Sequence, residues 1–486
     1  MTYSAELKYS ADEIARMLVG IGSRSGPLYR RLSQGLAELI DRGELPPLAQ
    51  LPPERALAEA LTLSRTTVVA AYRVLGDDGR VERRRGSGTT VSPSRRPLVS
   101  SGELAGDQAS AQFLDGPLAT VDFATAALPS LDIVAEVAAG VTRADYDRLI
   151  RDHHGYHLRG LPSLRERIAG WYSHQGFPTR ADEILITSGA QQALELVARG
   201  CLQPGDGVVA EAPTYRGALE AFSRTGSRLH AIRTDVAGLD VSSLEDALSN
   251  HFPRLAYVQS GVQNPTGASL SPERRRRLAA IARSGRVIVV DDTSLTATIF
   301  DGPPVPPALA TADELVTIGS FSKLFWGGLR LGWIRASTQV VSRLAQVRGI
   351  SDLGSSLVTQ QLAERLFDHV DDAVAQRRKQ LPAGLRTLTE LLSAHLPGWT
   401  WQAPAGGASL WVRLPQGNAT HFGQVALRYG VALLPGAVFG GSDEYTRLPY
   451  AQPAATLTEG VERLGQAWQA YVERGVSDAA VTSAAT

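Results

Sequence analysis

Gly319-Ser320-Phe321-Ser322-Lys323-Leu324-Phe325-Trp326-Gly327-Gly328-Leu329-Arg330-Leu331-Gly332 sets two hydroxyls, a lysine, glycines and an arginine in a fixed order. The order suits a cofactor that carries an aldehyde and a phosphate. The aldehyde condenses with a lysine amine, and the phosphate takes hydroxyl, guanidinium and backbone donors. Lys323 would form the imine, and Ser320, Ser322 and Arg330 would hold the phosphate. In isolation the same residues describe a surface lysine in a glycine-rich loop, so the decision rests on the chain around them.

Upstream, Leu255 to Gln263 is an apolar strand running into Asn264-Pro265-Thr266-Gly267, a turn by its proline and glycine. An asparagine there can donate its amide to a phenolate oxygen. Arg286-Val287-Ile288-Val289-Val290-Asp291-Asp292 reads as a buried parallel strand, and ligands bind beyond the carboxyl ends of such strands. Asp291 would therefore face a pyridine ring and keep its nitrogen protonated. Glu183 to Thr187 is a strand followed by Ser188-Gly189-Ala190-Gln191 and a helical pattern, so Ala190 and Gln191 are candidate phosphate donors at a helix N-terminus. Tyr215, just past the strand Val208 to Ala212, is placed to stack on the ring. Together these residues specify pyridoxal phosphate.

The first hundred residues carry a different chemistry. A helical pattern runs from Pro27 through Leu36, Leu39 and Ile40, and Glu54 to Ala58 starts a short helix. Ser64 caps a further helix in which Val68, Ala71, Tyr72 and Leu75 share an inner face. This leaves Arg65, Thr66 and Thr67 exposed at its start, where the recognition helix of a helix-turn-helix reads base edges. Gly79 to Val91 reads as two strands joined by a basic, glycine-rich wing. From Arg80 to Arg96 six arginines oppose one glutamate, while the whole chain balances 49 basic against 49 acidic residues. Charge concentrated in one segment of a neutral chain points to a polyanion, here double-stranded DNA.

Residues 120 to 470 resemble the class I aminotransferases of fold type I. The resemblance is carried by Ser-Gly-Ala-Gln, Ala-Pro-Thr-Tyr, Asn-Pro-Thr-Gly, Val-Val-Asp-Asp and Ser-Phe-Ser-Lys with Arg330. It implies an α/β architecture: a large α/β/α domain on a mixed, mostly parallel sheet, a smaller C-terminal α+β domain, and a site at a dimer interface. In that resemblance Arg447, within Tyr445 to Tyr450, grips the carboxylate of the ligand. Two departures stand out. Thr293 and Ser294 occupy the positions of a tyrosine that would bond the cofactor phenolate. Tyr156, a candidate to reach the neighbouring subunit's phosphate, stands one position closer to Gly160 than usual. Residues 26 to 92 resemble the GntR winged helix, with Leu-Pro-x-Glu-Arg, Ser-Arg-Thr-Thr-Val and Val-Glu-Arg-Arg-x-Gly-Ser-Gly-Thr in register. By position, Arg55, Ser64, Arg65, Thr66, Thr67, Arg84 and Gly86 form the DNA-binding set. Pro53 replaces a serine cap, and Val69 stands where many members have an arginine.

The order, winged helix then linker then aminotransferase-like domain, is similar to the MocR subfamily along nearly the whole chain. It implies a dimeric, pyridoxal-phosphate-binding transcription regulator that senses an amino compound or a B6 vitamer. The alternative is an active aminotransferase carrying a DNA-binding module. The expected boundaries are an unassigned segment 1–25, the winged helix 26–92, a flexible Ser/Gly/Pro/Arg-rich linker 93–118, the effector domain 119–475 and a disordered tail 476–486. At 486 residues and 43% hydrophobic the chain supports two or three domains. No apolar run approaches the roughly twenty residues that span a bilayer, no signal peptide is seen, and the single Cys201 fits a reducing cytoplasm. No metal-ligand cluster is present in the sequence.

Overall fold

The computed structural model describes residues 9–18, 27–41, 45, 49–77, 80–84, 88–92, 121–152, 154–302 and 315–483, with side chains described except at 16, 41, 77, 83, 84 and 474–483. The chain falls into two compact units, Met1–Leu104 and Ala105–Thr486. The linker expected at 93–118 and Gly86 lie outside the described residues.

In the first unit the helices Leu28–Asp41, Glu54–Ala60 and Arg65–Asp77 enclose one core. Leu32, Leu36, Leu39, Val68, Ala71 and Leu75 have no exposed surface, as their helical spacing requires. The wing strands β2 (Val81–Arg84) and β3 (Gly88–Val91) pair antiparallel, and β1 (Gln50–Leu51) adds a third strand on the far edge of β3. Pro53 leaves the helix Glu54–Ala60 without a side-chain cap.

Residues 9–18, within the segment left unassigned, pack in this unit. Ser10 and Glu13 form a reciprocal capping box that starts the helix Ala11–Met17. Ile14 and Leu18 enter the winged-helix core at 0% and 6% exposure. Burial of each is worth about 1.5–3 kcal/mol relative to exposure. The signature Ser10-Ala-Asp-Glu13 ahead of Ile14 was the available signal.

In the second unit eight strands form one mixed sheet in the order β5-β12-β11-β10-β9-β6-β7-β8. They are β5 (Ile184–Thr187), β6 (Gly207–Ala212), β7 (Arg228–Asp235), β8 (Gly238–Leu239), β9 (Leu255–Val258), β10 (Ile288–Asp292), β11 (Leu315–Ser320) and β12 (Gly332–Ala336). Only β12 and β8 run against the others. Strand periodicity sends Val208, Ala210, Tyr257, Val290 and Ile318 to one face, under the helices Ala190–Cys201, Arg216–Ser223 and Thr338–Ser351. Val209, Ala256, Val258 and Val289 go to the other, under Val241–His251 and Pro272–Arg283. Both faces are covered, which is why these strands read as continuous apolar runs.

The smaller domain folds on β13 (Thr400–Trp401), β14 (Ser409–Arg413), β16 (Leu434–Pro435) and β17 (Tyr445–Pro449). It packs on the helices Val370–His395, Ala419–Arg428 and Ala454–Ser483. The first described residues of the second unit join this domain: β4 (Val121–Asp122) pairs with β15 (Val431–Ala432), and Phe123 is fully buried. The last helix runs to Ser483, past Val476 where an unstructured tail was expected, because its alanines favour helix over coil.

Candidate functional site

The carboxyl ends of β5, β6, β9, β10 and β11 lead into the segments that carry the expected cofactor residues. Lys323 follows β11, and its Nζ donates to the Ala126 carbonyl at 2.7 Å. Burial, with Arg447 and Arg377 close by, lowers its amine to about 8. An amine so placed is a far better nucleophile near neutral pH than a surface lysine.

Arg330 adopts the left-handed conformation at φ 47°, and its Nη2 donates to the Ser188 carbonyl at 3.0 Å. A Cβ on Gly189 would lie 3.3 Å from that guanidinium, and Gly189 itself has φ 93°. Glycine is needed there on both counts. The helix Ala190–Cys201 starts at this point, so its first N–H groups open beside the Arg330 guanidinium, an anion cradle. The Gln191 side chain is engaged elsewhere, donating to the Gly217 carbonyl at 3.0 Å and accepting from the Tyr215 hydroxyl at 2.9 Å. Only its backbone N–H remains for an anion. Ser320 Oγ accepts from the Ser322 N–H at 3.1 Å and donates to the Leu331 carbonyl at 3.2 Å. A buried, deprotonatable lysine beside a cradle of glycine backbone, arginine and serine fits pyridoxal phosphate.

The two adjacent carboxylates of β10 point to opposite faces of the sheet. Asp291, fully buried, accepts from the Ser260 N–H at 3.1 Å and its hydroxyl at 2.8 Å. Asp292 accepts from the Tyr257 hydroxyl at 2.9 Å and the Ser294 N–H at 3.0 Å, and burial pushes it up from the carboxylate range. Tyr215 is pushed up by burial and then by Asp292, so Asp292 shares Tyr215's surroundings. Sequence reading missed Glu211, which burial pushes up to about 8, with Asp291 and Asp292 adding to the shift. Glu211 is therefore neutral at pH 7, which limits the negative charge gathered here.

Arg447 on β17 is 5% exposed, and no carboxylate stands within ion-pair distance among the described residues. It donates to the Ala124 carbonyl, lies 3.5 Å from Asn264 Oδ1 and sits 4.8 Å over the Phe439 ring. Its Nε is buried without a partner. Burial lowers it to about 10. With Oδ1 turned to Arg447, the Asn264 amide nitrogen is the group left to donate. Thr293 donates to the Ile318 carbonyl at 2.7 Å, so it does not replace the absent tyrosine. Tyr156 is 65% exposed.

In the first unit Ser64 Oγ accepts from the Thr67 N–H at 3.1 Å and lies 2.8 Å from Thr66 Oγ1 and 2.7 Å from Thr67 Oγ1. These hydroxyls fix the start of the helix. Arg65 and Arg55 are exposed at the two helix starts, and Arg84 lies on β2 with its side chain outside the described atoms.

Residues 141–464 match the model of aminotransferase class I and II, and residues 28–91 that of bacterial regulatory proteins of the gntR family. An uncharacterized HTH-type transcriptional regulator of Bacillus subtilis is 29% identical over 90% of this chain and 96% of its own length. A 2-aminoadipate transaminase of Thermus thermophilus is 31% identical over 63% of this chain and 79% of its own. Among solved structures, the α-aminoadipate aminotransferase of Thermus thermophilus bound to N-(5'-phosphopyridoxyl)-L-leucine superposes with TM-score 0.68 at 29% identity, covering 75% of this chain and 95% of that one. The Pyrococcus horikoshii kynurenine aminotransferase gives TM-score 0.69 at 26% identity over 78% and 97%. The chain therefore belongs to the class I and II aminotransferase family as a pyridoxal-phosphate-binding member fused to a GntR-type DNA-binding domain, the architecture of MocR transcriptional regulators.

Proposed function

We propose that the aminotransferase-like domain is the sensor of this regulator, and that its effector is an amino compound bearing a carboxylate. The observation that carries the reading is Arg447, a buried guanidinium close to the Lys323 amine with no carboxylate within ion-pair distance among the described residues. A buried charge is costly unless paired, so the pocket is built to receive an anion. Lys323 is the covalent attachment point, and the Arg330, Gly189, Ala190 and Gln191 backbone cradle with Ser320 and Ser322 takes the phosphate. Asn264 meets the phenolate, Tyr215 stacks on the ring and Asp291 meets the ring nitrogen. Asp291 takes that role because the resemblance places the ring aspartate there and two Ser260 donors hold its carboxylate; Asp292 is buried as well and is held by Tyr257 and Ser294. When bound, the cofactor supplies an electrophilic carbon and an electron sink. The ligand shifts the regulator only by its differential affinity for two states. The test is titration with amino acids, amines and B6 vitamers, reading cofactor absorbance and operator affinity together. A cofactor response with unchanged operator affinity overturns the sensor role.

An active aminotransferase is the second reading, favoured by the 31% identity to the transaminase. Thr293 and Ser294 in the tyrosine positions weigh against it. Sustained turnover of an amino acid with a 2-oxo acid would establish it.

Cofactor uptake by the apoprotein should depend on pH through Lys323. Its amine must be neutral to attack, and folding lowers it from 10.5 to about 8. The uptake rate therefore rises about tenfold per pH unit below pH 8 and flattens above it. A rate still climbing at pH 10 would mean that the amine is not depressed. A stopped-flow series from pH 6 to 10 decides this.

Arg65→Ala should weaken operator binding by about 1–3 kcal/mol and relax preference at one base pair, as loss of a bidentate base contact does. Arg84→Ala should instead weaken all sequences alike and reduce the salt slope. Equal loss on random and operator DNA in the Arg65 variant would remove the base-reading role.

The chain also carries a second-copy surface. Ile150, Tyr156, Ile350, Leu353 and Val358 are 73%, 65%, 87%, 48% and 50% exposed. Their segments adjoin: Gly354 packs on the His157 backbone, and Gly349 lies beside Leu158. Exposed apolar residues grouped this way mark an interface, and we assign it to a homodimer. Ile350→Asp should reduce the sedimentation coefficient to that of a single chain; an unchanged value refutes the assignment.

A further inference from the structure

The helix Val370–His395 starts in one core and continues in another. Val370, Ala373 and Val374 pack in the cluster that holds Phe321, Leu324 and Phe325, and Leu381, Leu388 and Leu392 pack in the smaller domain. Val370, Ala373, Val374 and Leu381 lie on one inner stripe at helical spacing, and between them on the same stripe stands Arg377. An apolar side chain would continue the stripe, yet the residue there is an arginine only 1% exposed. Each nitrogen of its guanidinium donates to a neutral acceptor. Nε donates to the Leu324 carbonyl at 2.9 Å, Nη2 to the Phe325 carbonyl at 3.0 Å and the Pro129 carbonyl at 2.7 Å, and Nη1 to Gln380 Oε1 at 3.2 Å. No carboxylate stands within ion-pair distance of it among the described residues, and burial lowers it to about 10. A buried cation without a counter-charge is costly where a hydrocarbon side chain would pack, so its use lies in what the guanidinium does to its neighbours. Leu324 and Phe325 directly follow Lys323 in the chain. Pro129 lies on the same segment as Ala126, whose carbonyl accepts from Lys323 Nζ, and the Phe325 carbonyl also accepts from the Leu131 N–H at 3.2 Å. One planar fork thus ties the loop that carries the lysine to the segment that receives its amine.

We propose that Arg377 is a positioning residue of the cofactor site, clamping the 323–325 loop to the 126–129 segment so that the Lys323 amine is held buried and in place for the cofactor aldehyde. The proposal rests on the reading of Lys323 as the covalent attachment point. The charge of Arg377 acts in the same direction as its clamp. The amine is lowered to about 8 by burial first, then by Arg447, reaching it from β17, and by Arg377, reaching it from the helix Val370–His395. Without Arg377 one of these like charges is lost, and the loop that keeps the amine away from water is no longer held. Both changes move the amine up toward its ordinary value, so that less of it is neutral at a given pH.

The test compares Arg377→Gln and Arg377→Lys with the wild type in the full chain by two readouts. In the apoprotein, competitive acetylation from pH 6 to 11 followed by peptide mapping gives the midpoint at which the Lys323 amine becomes neutral, with no cofactor present. Stopped-flow uptake of pyridoxal phosphate by the same preparations gives the pH profile of attachment. Arg377→Gln should move both midpoints up by about half a pH unit or more, which slows uptake at pH 7 about threefold or more. Arg377→Lys keeps the charge but cannot bridge the three carbonyls, so its midpoint should stay nearer that of the wild type while its plateau rate falls several-fold. An arginine that only supported the fold would reduce the folded yield and leave the midpoint of the folded protein in place. Unchanged midpoints in Arg377→Gln therefore overturn the proposal. If Arg377→Gln does not fold, judged by circular dichroism, Arg377→Lys decides, and a plateau rate equal to that of the wild type overturns it. Borohydride reduction and peptide mapping of each protein keep the two readings apart. An adduct on Lys323 with an unchanged profile removes the role of Arg377 alone, whereas an adduct on another lysine removes the attachment point as well.

Discussion

Lys323→Ala will purify colourless, without the visible absorbance band of lysine-bound cofactor, and borohydride will leave no cofactor-labelled peptide. The loss should be essentially complete, because a covalent bond is removed and Lys379, the other lysine among the described residues, is exposed on the helix Val370–His395. The Ala126 carbonyl loses its 2.7 Å donor, a cost of about 1–3 kcal/mol that the fold can absorb. Lys323→Arg separates charge from nucleophilicity: it keeps a cation in the pocket but cannot attach the cofactor. Peptide mapping of the reduced wild-type protein should place the adduct on Lys323 alone, and an adduct on another lysine would falsify the assignment.

Much of this site was legible because fold type I builds it from short segments that each carry their own chemistry. Ser-Gly-Ala at a strand-to-helix junction, proline-glycine turns and a lysine after two hydroxyls are readable one at a time. Tertiary coincidence was not readable. Nothing near Glu211 in sequence shows that Gln263 and Asp291 approach it, so its neutral state depends on a sheet that pairs β6 with β9 and β9 with β10. The Asp291 and Asp292 pair shows the same limit. A strand's period of two tells that they face apart but not which one shares the surroundings of Tyr215. The helix Ala11–Met17 was legible in principle through its capping box. It was passed over because seven residues offer too little periodicity to stand out.

Arg447→Ala should abolish the response to a carboxylate-bearing effector while sparing the cofactor band and operator binding in the absence of effector. The argument runs from burial. The guanidinium is taken out of water, its Nε has no partner, and its contacts are a carbonyl, an amide oxygen and a ring face, none of which neutralises it. An incoming carboxylate would supply that partner in a bidentate pair, and removing one member of a buried charged pair costs roughly 2–5 kcal/mol. At about 1.4 kcal/mol per factor of ten, the effector would bind some thirty-fold to several thousand-fold more weakly. Arg447→Lys should recover only part of this, since an ammonium cannot present two parallel donors. Asn264 is the internal control. Losing its Arg447 contact frees Oδ1 but leaves the amide nitrogen available to the phenolate, so a small shift of the cofactor band is expected rather than its loss. Effector titrations read by absorbance and operator occupancy together separate the cases. An unchanged response would make Arg447 a structural residue or show that the effector has no carboxylate, as for a B6 vitamer. Loss of both the band and the response would mean that Arg447 holds the cofactor pocket together.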